Sequence, residues 1–288
     1  MYPAGESGIV SRFLTLTSGE RVHLIEAGPE DGIPVLLCHG WGACVYAWSA
    51  ILPSLAAAGC RVIAPDLRGH GRTDESTAPE AYTSAGMTGH LAAIVDASGI
   101  RRPVVVGHSM SGRIALEYAL VDPTLVRGLV LLAPIGVGSL RWFMRWTAPI
   151  LALGARLGPI AIRRWMIAAV VRAATGRLRP PTGRDIDEYW APSQWPKFGR
   201  AIHRLLVHFD WTALPPERIA RLPVPVTVVL GELDPLVVVP GHAAFPARVA
   251  PKRAVTVARA GHIVTDEIPG VVSEEILRLV AGLVANRD

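Results

Sequence analysis

Pro103-Val104-Val105-Val106 runs straight into Gly107-His108-Ser109-Met110-Ser111-Gly112, and a helical apolar pattern begins immediately afterwards. This strand-to-helix turn constrains the fold more than any other stretch, because so tight a turn forces Ser109 into a strained backbone conformation. Only small residues fit two places before and two places after such a serine, and Gly107 and Ser111 are small. The serine would then stand beside a helix N-terminus, where unpaired N–H groups and the macrodipole favour developing negative charge.

A serine hydroxyl is weakly nucleophilic at neutral pH, so it needs a base, and the base needs an orienting acid. After the β-branched run Pro225–Leu230 comes Gly231-Glu232-Leu233-Asp234-Pro235, and after Ala254–Val257 comes Ala260-Gly261-His262. Each candidate lies just past the C-terminal end of a strand, where open α/β sheets bind their ligands. Ser109 is thus expected as nucleophile, His262 as base and Asp234 as acid. Glu232 and Asp266 are nearby carboxylates that compete for the orienting role. Ser111 would lie inside the helix start, which disfavours it as an alternative nucleophile, and the His108 side chain should point away from Ser109.

Eight β-branched runs bounded by turn residues predict eight strands: Phe13–Thr17, Arg21–Glu26, Pro34–Cys38, Arg61–Ala64, Pro103–Val106, Val126–Leu132, Pro225–Leu230 and Ala254–Val257. The first two should form an antiparallel hairpin across Ser18-Gly19-Glu20, whereas the others need crossovers and read as parallel. Apolar spacing predicts helices at Ala47–Ala58, Ala85–Ser98, Met110–Val121 and Val271–Ala285. Between Pro134 and Trp211 the strand signal stops and helical stretches rich in Trp and Arg take over. The expected division is therefore a sheet domain from residues 1–135 and 213–288 with a helical cap inserted at 136–212. Half of the 288 residues are apolar and 18% are charged, enough apolar material to cover a sheet on both faces.

These motifs resemble the α/β-hydrolases, and the resemblance spans the chain apart from the detail of the cap. Pro34 to Gly42 looks like the family's strand followed by a His-Gly oxyanion loop, here His39-Gly40-Trp41, and Asp66-Leu67-Arg68-Gly69-His70-Gly71-Arg72-Thr73 is similar to its turn after the next strand. The resemblance implies an eight-stranded, mostly parallel sheet, the triad Ser109, Asp234 and His262, and an oxyanion hole from the backbone N–H groups of Trp41 and Met110. It makes His39 a structural support of that loop and Asp66 a turn-fixing residue. This chain departs from the common Gly-x-Ser-x-Gly form at Ser111, which bears on how closely the helix packs. Serine at 109 also argues against the branches that attack with aspartate, the haloalkane dehalogenases and epoxide hydrolases.

The implied activity is cleavage of a carboxylic ester of a small apolar molecule, with no metal or organic cofactor. The same triad supports C–C bond hydrolysis, lactone opening, perhydrolysis and cofactor-free lyase or cyclase chemistry, and the Ser109-Met110 pair is similar to that of C–C hydrolases and cofactor-free haloperoxidases. A rival of a different class is a ligand-sensing receptor of the same fold.

Residues 137–212 hold eleven arginines and one lysine against four carboxylates, a net +8, while the rest of the chain carries −3. No nucleic-acid-binding motif accompanies that basicity. The expected cap also holds Trp142, Trp146, Trp165, Trp190, Trp195 and Trp211, six of the eight tryptophans. Most should pack cap helices together, with Trp142, Trp146 and Trp190 as candidates for lining an apolar substrate pocket. The arginines read as a solvated face, or, more sharply, as the edge of apolar helices lying on an anionic membrane surface. The N-terminus lacks a basic, then apolar, leader, so a cytoplasmic protein is expected. The apolar stretch Pro149–Val171 is interrupted by Arg156, Pro159, Arg163 and Arg164, too early for a membrane span. Cys38, Cys44 and Cys60 form neither a disulfide framework nor a zinc pattern, and Cys44 reads as a small buried hydrophobe.

Overall fold

The computed structural model describes residues 1–141, 162–239 and 253–285. In chain order the elements are β1 (Val10–Thr15), β2 (Arg21–Ala27), β3 (Ile33–Cys38), α1 (Leu52–Ala57), β4 (Cys60–Pro65), α2 (Ser84–Ala97), β5 (Val104–His108), α3 (Met110–Val121) and β6 (Gly128–Leu132). They continue with β7 (Ser139–Leu140), α4 (Arg164–Ala174), α5 (Gly183–Trp190), α6 (Pro196–His208), α7 (Pro216–Ala220), β8 (Val226–Gly231), β9 (Val237–Val238), β10 (Arg253–Val257), α8 (Val264–Glu267) and α9 (Pro269–Ala285).

Eight strands form one sheet in the order β1-β2-β4-β3-β5-β6-β8-β10. The β1–β2 and β2–β4 pairings are antiparallel, and the other five are parallel. The strand side chains alternate between two cores, as the two-residue period of a strand demands. Leu36, Ile63, Val105, Leu129 and Val228 meet Met87 and Leu91 of α2 and Ile114 of α3. Val35, Leu37, Val62, Val104, Val106 and Val229 meet Leu52 and Leu55 of α1 and Val272 and Ile276 of α9. Both faces are covered, which explains why the central strands read as continuous apolar runs rather than as apolar-polar alternation. Truncating one such residue, for example Ile276→Ala, costs roughly 2–5 kcal/mol.

The chain leaves β3 towards β4 and then crosses back to β5, so the sheet reverses direction between β3 and β5. The crevice beyond the C-terminal ends of those two strands is where open α/β sheets bind ligands. It lies between the loop starting at His39 and the turn at Ser109.

Three expectations shift. The first strand is Val10–Thr15 rather than Phe13–Thr17, because the Leu16 and Gly19 amides are taken into the turn, bonding Glu20 O and Leu16 O at 2.9 and 2.8 Å. The expected Ala47–Ala58 helix splits into a short 3-10 turn at Val45–Trp48 and α1. Pro53 sits in the first turn of α1, where its missing N–H costs nothing, and it forbids a continuous helix through that point. The pair β7 and β9, two residues each, is too short to leave a periodic signal.

Candidate active site

Ser109 joins β5 to α3 with φ 52° and ψ −115°, a left-handed conformation that only strong surroundings hold in a non-glycine residue. Its N–H donates to Leu132 O at 2.8 Å and its carbonyl accepts the Ile135 N–H at 2.9 Å, so β6 and the segment after it lock both sides of the strained peptide. Gly107 is required, since a Cβ there would stand 2.4 Å from Ser111 O. Ser111 itself is fully buried and donates its hydroxyl to His39 O, linking the helix start to the loop after β3. The close helix approach falls one residue later, at Gly112, where a Cβ would meet Pro134 Cβ at 2.4 Å. This is why serine is tolerated at 111.

Three side chains from three separate loops converge at this elbow. The Ser109 hydroxyl donates to His262 Nε2 at 2.9 Å, and His262 Nδ1–H donates to Asp234 Oδ2 at 2.8 Å. The tautomer follows from the partners, because a carboxylate can only accept. Asp234 Oδ1 accepts the Leu236 and Val237 N–H groups at 2.8 and 3.0 Å. Burial alone would raise the Asp234 pKa, but His262 and those two amides together hold it below the ordinary carboxylate value. Hydroxyl, imidazole and carboxylate in this order can pass a proton from the serine to the ring and stabilise the imidazolium that results. Glu232 is exposed and accepts the Arg259 N–H at 2.9 Å, while Asp266 accepts from the Tyr189 hydroxyl at 2.9 Å. Neither carboxylate bonds His262.

The loop after β3 is supported by two neutral histidines. His39 Nδ1–H donates to Gly40 O at 2.8 Å and its Nε2 accepts the Leu67 N–H at 3.0 Å. His70 Nδ1–H donates to Arg68 O at 3.0 Å and its Nε2 accepts the Gly42 N–H at 3.1 Å. Burial lowers both pKa values, that of His70 to about 3 with His39 beside it. Asp66 knits the same region by accepting His23 Nδ1, Val45 N and Arg72 N at 2.7, 2.8 and 2.9 Å. Among the described residues, neither the Trp41 nor the Met110 N–H donates to a backbone carbonyl. Gly40 lies against the elbow, its missing Cβ leaving room 3.1 Å from Ser109 Cβ. Cys44 is buried, and its burial, with Asp66 nearby, puts its thiol pKa well above the ordinary value.

Two supporting residues carry no sequence signal for their roles. His108 Nε2–H donates to His262 O at 2.9 Å, fixing the peptide that carries the ring, and burial, with His262 beside it, pushes its pKa to about 3. His70 holds Gly42. Both act on backbone groups of distant loops, which no local motif encodes.

Trp190 is half-buried and donates its indole N–H to Ile162 O at 3.1 Å, joining the end of α5 to the segment before α4. Trp142 and Trp146 lie outside the described residues. Trp211 packs edge-on against Trp41, with ring centroids 5.5 Å apart, and the Trp41 indole donates to Ile202 O of α6 at 3.1 Å. The arginines are not simply a solvated face. Arg200 and Arg204 both pair with Glu75, Arg184 with Glu6, Arg164 with Asp187 and Arg179 with Asp185. Among the described residues, no cluster of three or more His, Cys, Asp or Glu could hold a metal ion, and no helix is long and apolar enough to cross a membrane.

Comparison with known proteins agrees with this architecture. A family model described as the alpha/beta hydrolase fold matches residues 33–157. Epoxide hydrolase 3 of Siraitia grosvenorii is 38% identical over 114 residues, which is 40% of this chain and 35% of that protein. The chain thus spans about a third of the length of the curated relatives it matches first. Carboxylesterase CesB (YbfK) of Bacillus subtilis superposes with a TM-score of 0.78 at 20% identity, covering 95% of this chain and 92% of that one. A serine hydrolase involved in carbazole degradation, the CarC enzyme, superposes with a TM-score of 0.77 at 24% identity, covering 95% and 99%. At such identities a likeness carries the backbone and not the substrate, and the backbone it carries, with this strand order and this elbow, shows that the chain adopts the α/β-hydrolase fold.

Proposed function

We propose that this protein is a serine hydrolase that cleaves a carboxylic ester of an apolar small molecule through an acyl-Ser109 intermediate. The observation that carries the reading is the unbroken relay from Ser109 Oγ to His262 Nε2 at 2.9 Å and from His262 Nδ1 to Asp234 Oδ2 at 2.8 Å. In the first half-reaction Ser109 Oγ bonds the carbonyl carbon as His262 Nε2 takes its proton, and Asp234 stabilises the imidazolium. The oxyanion is held by the Trp41 and Met110 N–H groups, which have no backbone acceptor of their own among the described residues. His262 then hands the proton to the leaving oxygen and the alcohol departs. In the second half-reaction water attacks the acyl carbon, His262 takes the water proton and returns it to Ser109, and the carboxylic acid leaves. Every group required is a side chain or a backbone amide of this chain.

The relatives named epoxide hydrolases pull in another direction. The aspartate-using branches attack with a carboxylate, and this chain offers a hydroxyl at 109 instead. The same triad serves C–C bonds, lactones and peroxide, so a panel of esters, lactones and diketones chooses among substrates. Residues 136–212 act as the cap in this reading, with α4, α5 and α6 over the crevice and Trp190 holding two of its segments together.

The test is turnover of p-nitrophenyl acetate by the wild type and by Ser109→Ala. The variant is expected to lose roughly 10⁴-fold or more in kcat with an unchanged melting temperature. A fluorophosphonate should label the wild type at Ser109. Near-normal turnover by the variant overturns the reading, and a single slow burst in the wild type favours a ligand-sensing protein of the same fold.

A further inference from the structure

Glu267 closes α8, five residues after His262, and is only 5% exposed. A carboxylate so deeply buried ordinarily pairs with a cation. This one instead accepts three backbone N–H groups from two segments far apart in sequence. Gly261 N donates to Oε2 at 2.7 Å, Gly176 N to Oε2 at 2.9 Å and Leu178 N to Oε1 at 3.0 Å. The first belongs to the residue immediately before His262, and the other two to the linker that leaves α4. Two further bonds stitch the same segments together, His262 N to Ala174 O and Arg177 N to Arg259 O, both at 2.8 Å.

Sterics leave the two segments no slack. A Cβ on Gly176 would stand 2.4 Å from Gly261 N, and one on Gly261 would stand 2.3 Å from Gly176 N. From the opposite side, a Cβ on Gly231, at the end of β8 just before Asp234, would meet Gly261 O at 2.0 Å. The histidine loop is therefore pressed between the α4 linker and the turn that carries Asp234. Three of its backbone groups are held by partners: Gly261 N by Glu267, His262 N by Ala174 and His262 O by His108.

We propose that Glu267 is a positioning residue whose carboxylate clasps the 174–178 linker to the His262 loop, so that the placement of the ring against Ser109 depends on where α4 sits. The inference rests on the serine-hydrolase reading and deepens it. A substrate that displaces α4 moves the base, and a substrate that fits beneath α4 leaves the base aligned. Productive binding is thereby selected through ring alignment as well as through pocket shape.

The experiment compares Glu267→Gln, Glu267→Asp and Glu275→Gln with the wild type. Glu275 is the control, since it is equally buried at 3% exposure and pairs with Arg253 rather than with the histidine loop. The glutamine keeps the shape but, with its oxygen held by the Gly261 and Gly176 amides, turns an N–H₂ group towards the Leu178 N–H. Its expected cost is about 10- to 100-fold in kcat for p-nitrophenyl acetate, the scale of a misplacement of about 1 Å, with KM little changed. The rate of fluorophosphonate labelling at Ser109 should fall by the same factor, and amide exchange at Gly176, Leu178 and Gly261 should quicken. Glu267→Asp, which keeps the charge on a shorter arm, should fall between the glutamine variant and the wild type. Glu275→Gln should lower the melting temperature and leave kcat and labelling alone. Folded Glu267→Gln with wild-type kcat and labelling overturns the proposal, as does a Glu275→Gln variant that loses activity equally for the same loss of stability. If the wild type labels at Ser109 but hydrolyses no ester, the substrate reading fails and labelling still decides the positioning role. If the wild type does not label at all, the serine-hydrolase reading fails and the positioning role falls with it, while amide exchange still reports whether Glu267 joins the two segments.

Discussion

Asp234 divides its oxygens between two tasks, and this division makes its substitution informative. Oδ1 is taken by the Leu236 and Val237 amides, which leaves Oδ2 alone for the His262 ring. In Asp234→Asn the two amides retain the oxygen, so the N–H₂ group must face Nδ1 and the ring is driven to the tautomer with its proton on Nε2. That proton then points at Ser109, and the ring can no longer act as a base. The expected loss is roughly 10³–10⁴-fold in kcat. Glu232→Gln and Asp266→Asn, which do not touch the ring, should stay within a few-fold of the wild type in the same assay. Equal losses at two of the three positions would contradict this assignment. At this scale Ser109, Asp234 and His262 are legible in sequence because each stands in a short turn directly after a β-branched run. His70, His108 and Glu267 are not, because each acts on a backbone amide or carbonyl of another segment, and a backbone group leaves no mark on residue identity. Gly176 and Gly261 are the nearest to a signal, yet their mutual contact is invisible until both loops are placed.

Among the elements, α5 is docked by polar bonds as well as by packing. A capping box between Thr182 and Asp185 starts it, the Tyr46 hydroxyl donates to Asp185 at 2.6 Å, and the Tyr189 hydroxyl donates to Asp266 of α8 at 2.9 Å. Burial, assisted by nearby Asp185, raises the Asp266 pKa to about 7, although Tyr189, Arg179 and Thr265 act against the rise. Asp266 therefore holds a proton in the folded state that the unfolded chain has already released above about pH 4. Its contribution to stability is complete below the unfolded value and is lost as pH rises from there through about 7. Asp234 is shifted the other way and stays ionised across the upper part of that window, so it does not mask the effect. The lowered pKa values of His39, His70 and His108 add stability as pH rises in both proteins alike. The Asp266 signal is therefore the difference: between pH 5 and pH 8 the urea midpoint of the wild type should fall relative to that of Asp266→Asn, which cannot ionise. Parallel curves for the two proteins would show that Asp266 is not protonated in the fold. Element boundaries were readable to within one to three residues where β-branched runs end at Gly or Pro. They failed at Ala47–Ala58, where apolar spacing spans two short helices that Pro53 separates, and at β7 and β9, where two residues form no pattern.

For the molecule as a whole, the uneven charge divides into a part that holds the fold together and a part that does not. Arg184, Arg200 and Arg204 reach carboxylates outside residues 137–212, at Glu6 and Glu75, so some of the segregated +8 serves to dock that segment on the −3 remainder. This pairing was hidden in the sequence, because the partners stand more than a hundred residues apart. Arg163, Arg172 and Arg177 are exposed and have no ion pair among the described residues. They surround the outer arc of α4, where Trp165 is 70% and Val170 is 61% exposed and Ala169 and Ala173 lie between them. An apolar arc edged by unpaired cations is complementary to an anionic lipid surface, where a tryptophan sits at the headgroup boundary and each nearby arginine contributes about 1 kcal/mol. The protein is accordingly expected to co-sediment with vesicles containing phosphatidylserine at low salt. Binding should weaken as salt screens the arginines, with a Debye length of about 10 Å at 0.1 M, and should be absent with neutral vesicles. Trp165→Ser, at a site with little burial to lose, should weaken vesicle binding without lowering the melting temperature or the labelling of Ser109. Equal binding to neutral and anionic vesicles, or binding that ignores Trp165, would rule out α4 as the contact and leave its exposed tryptophan without a membrane role.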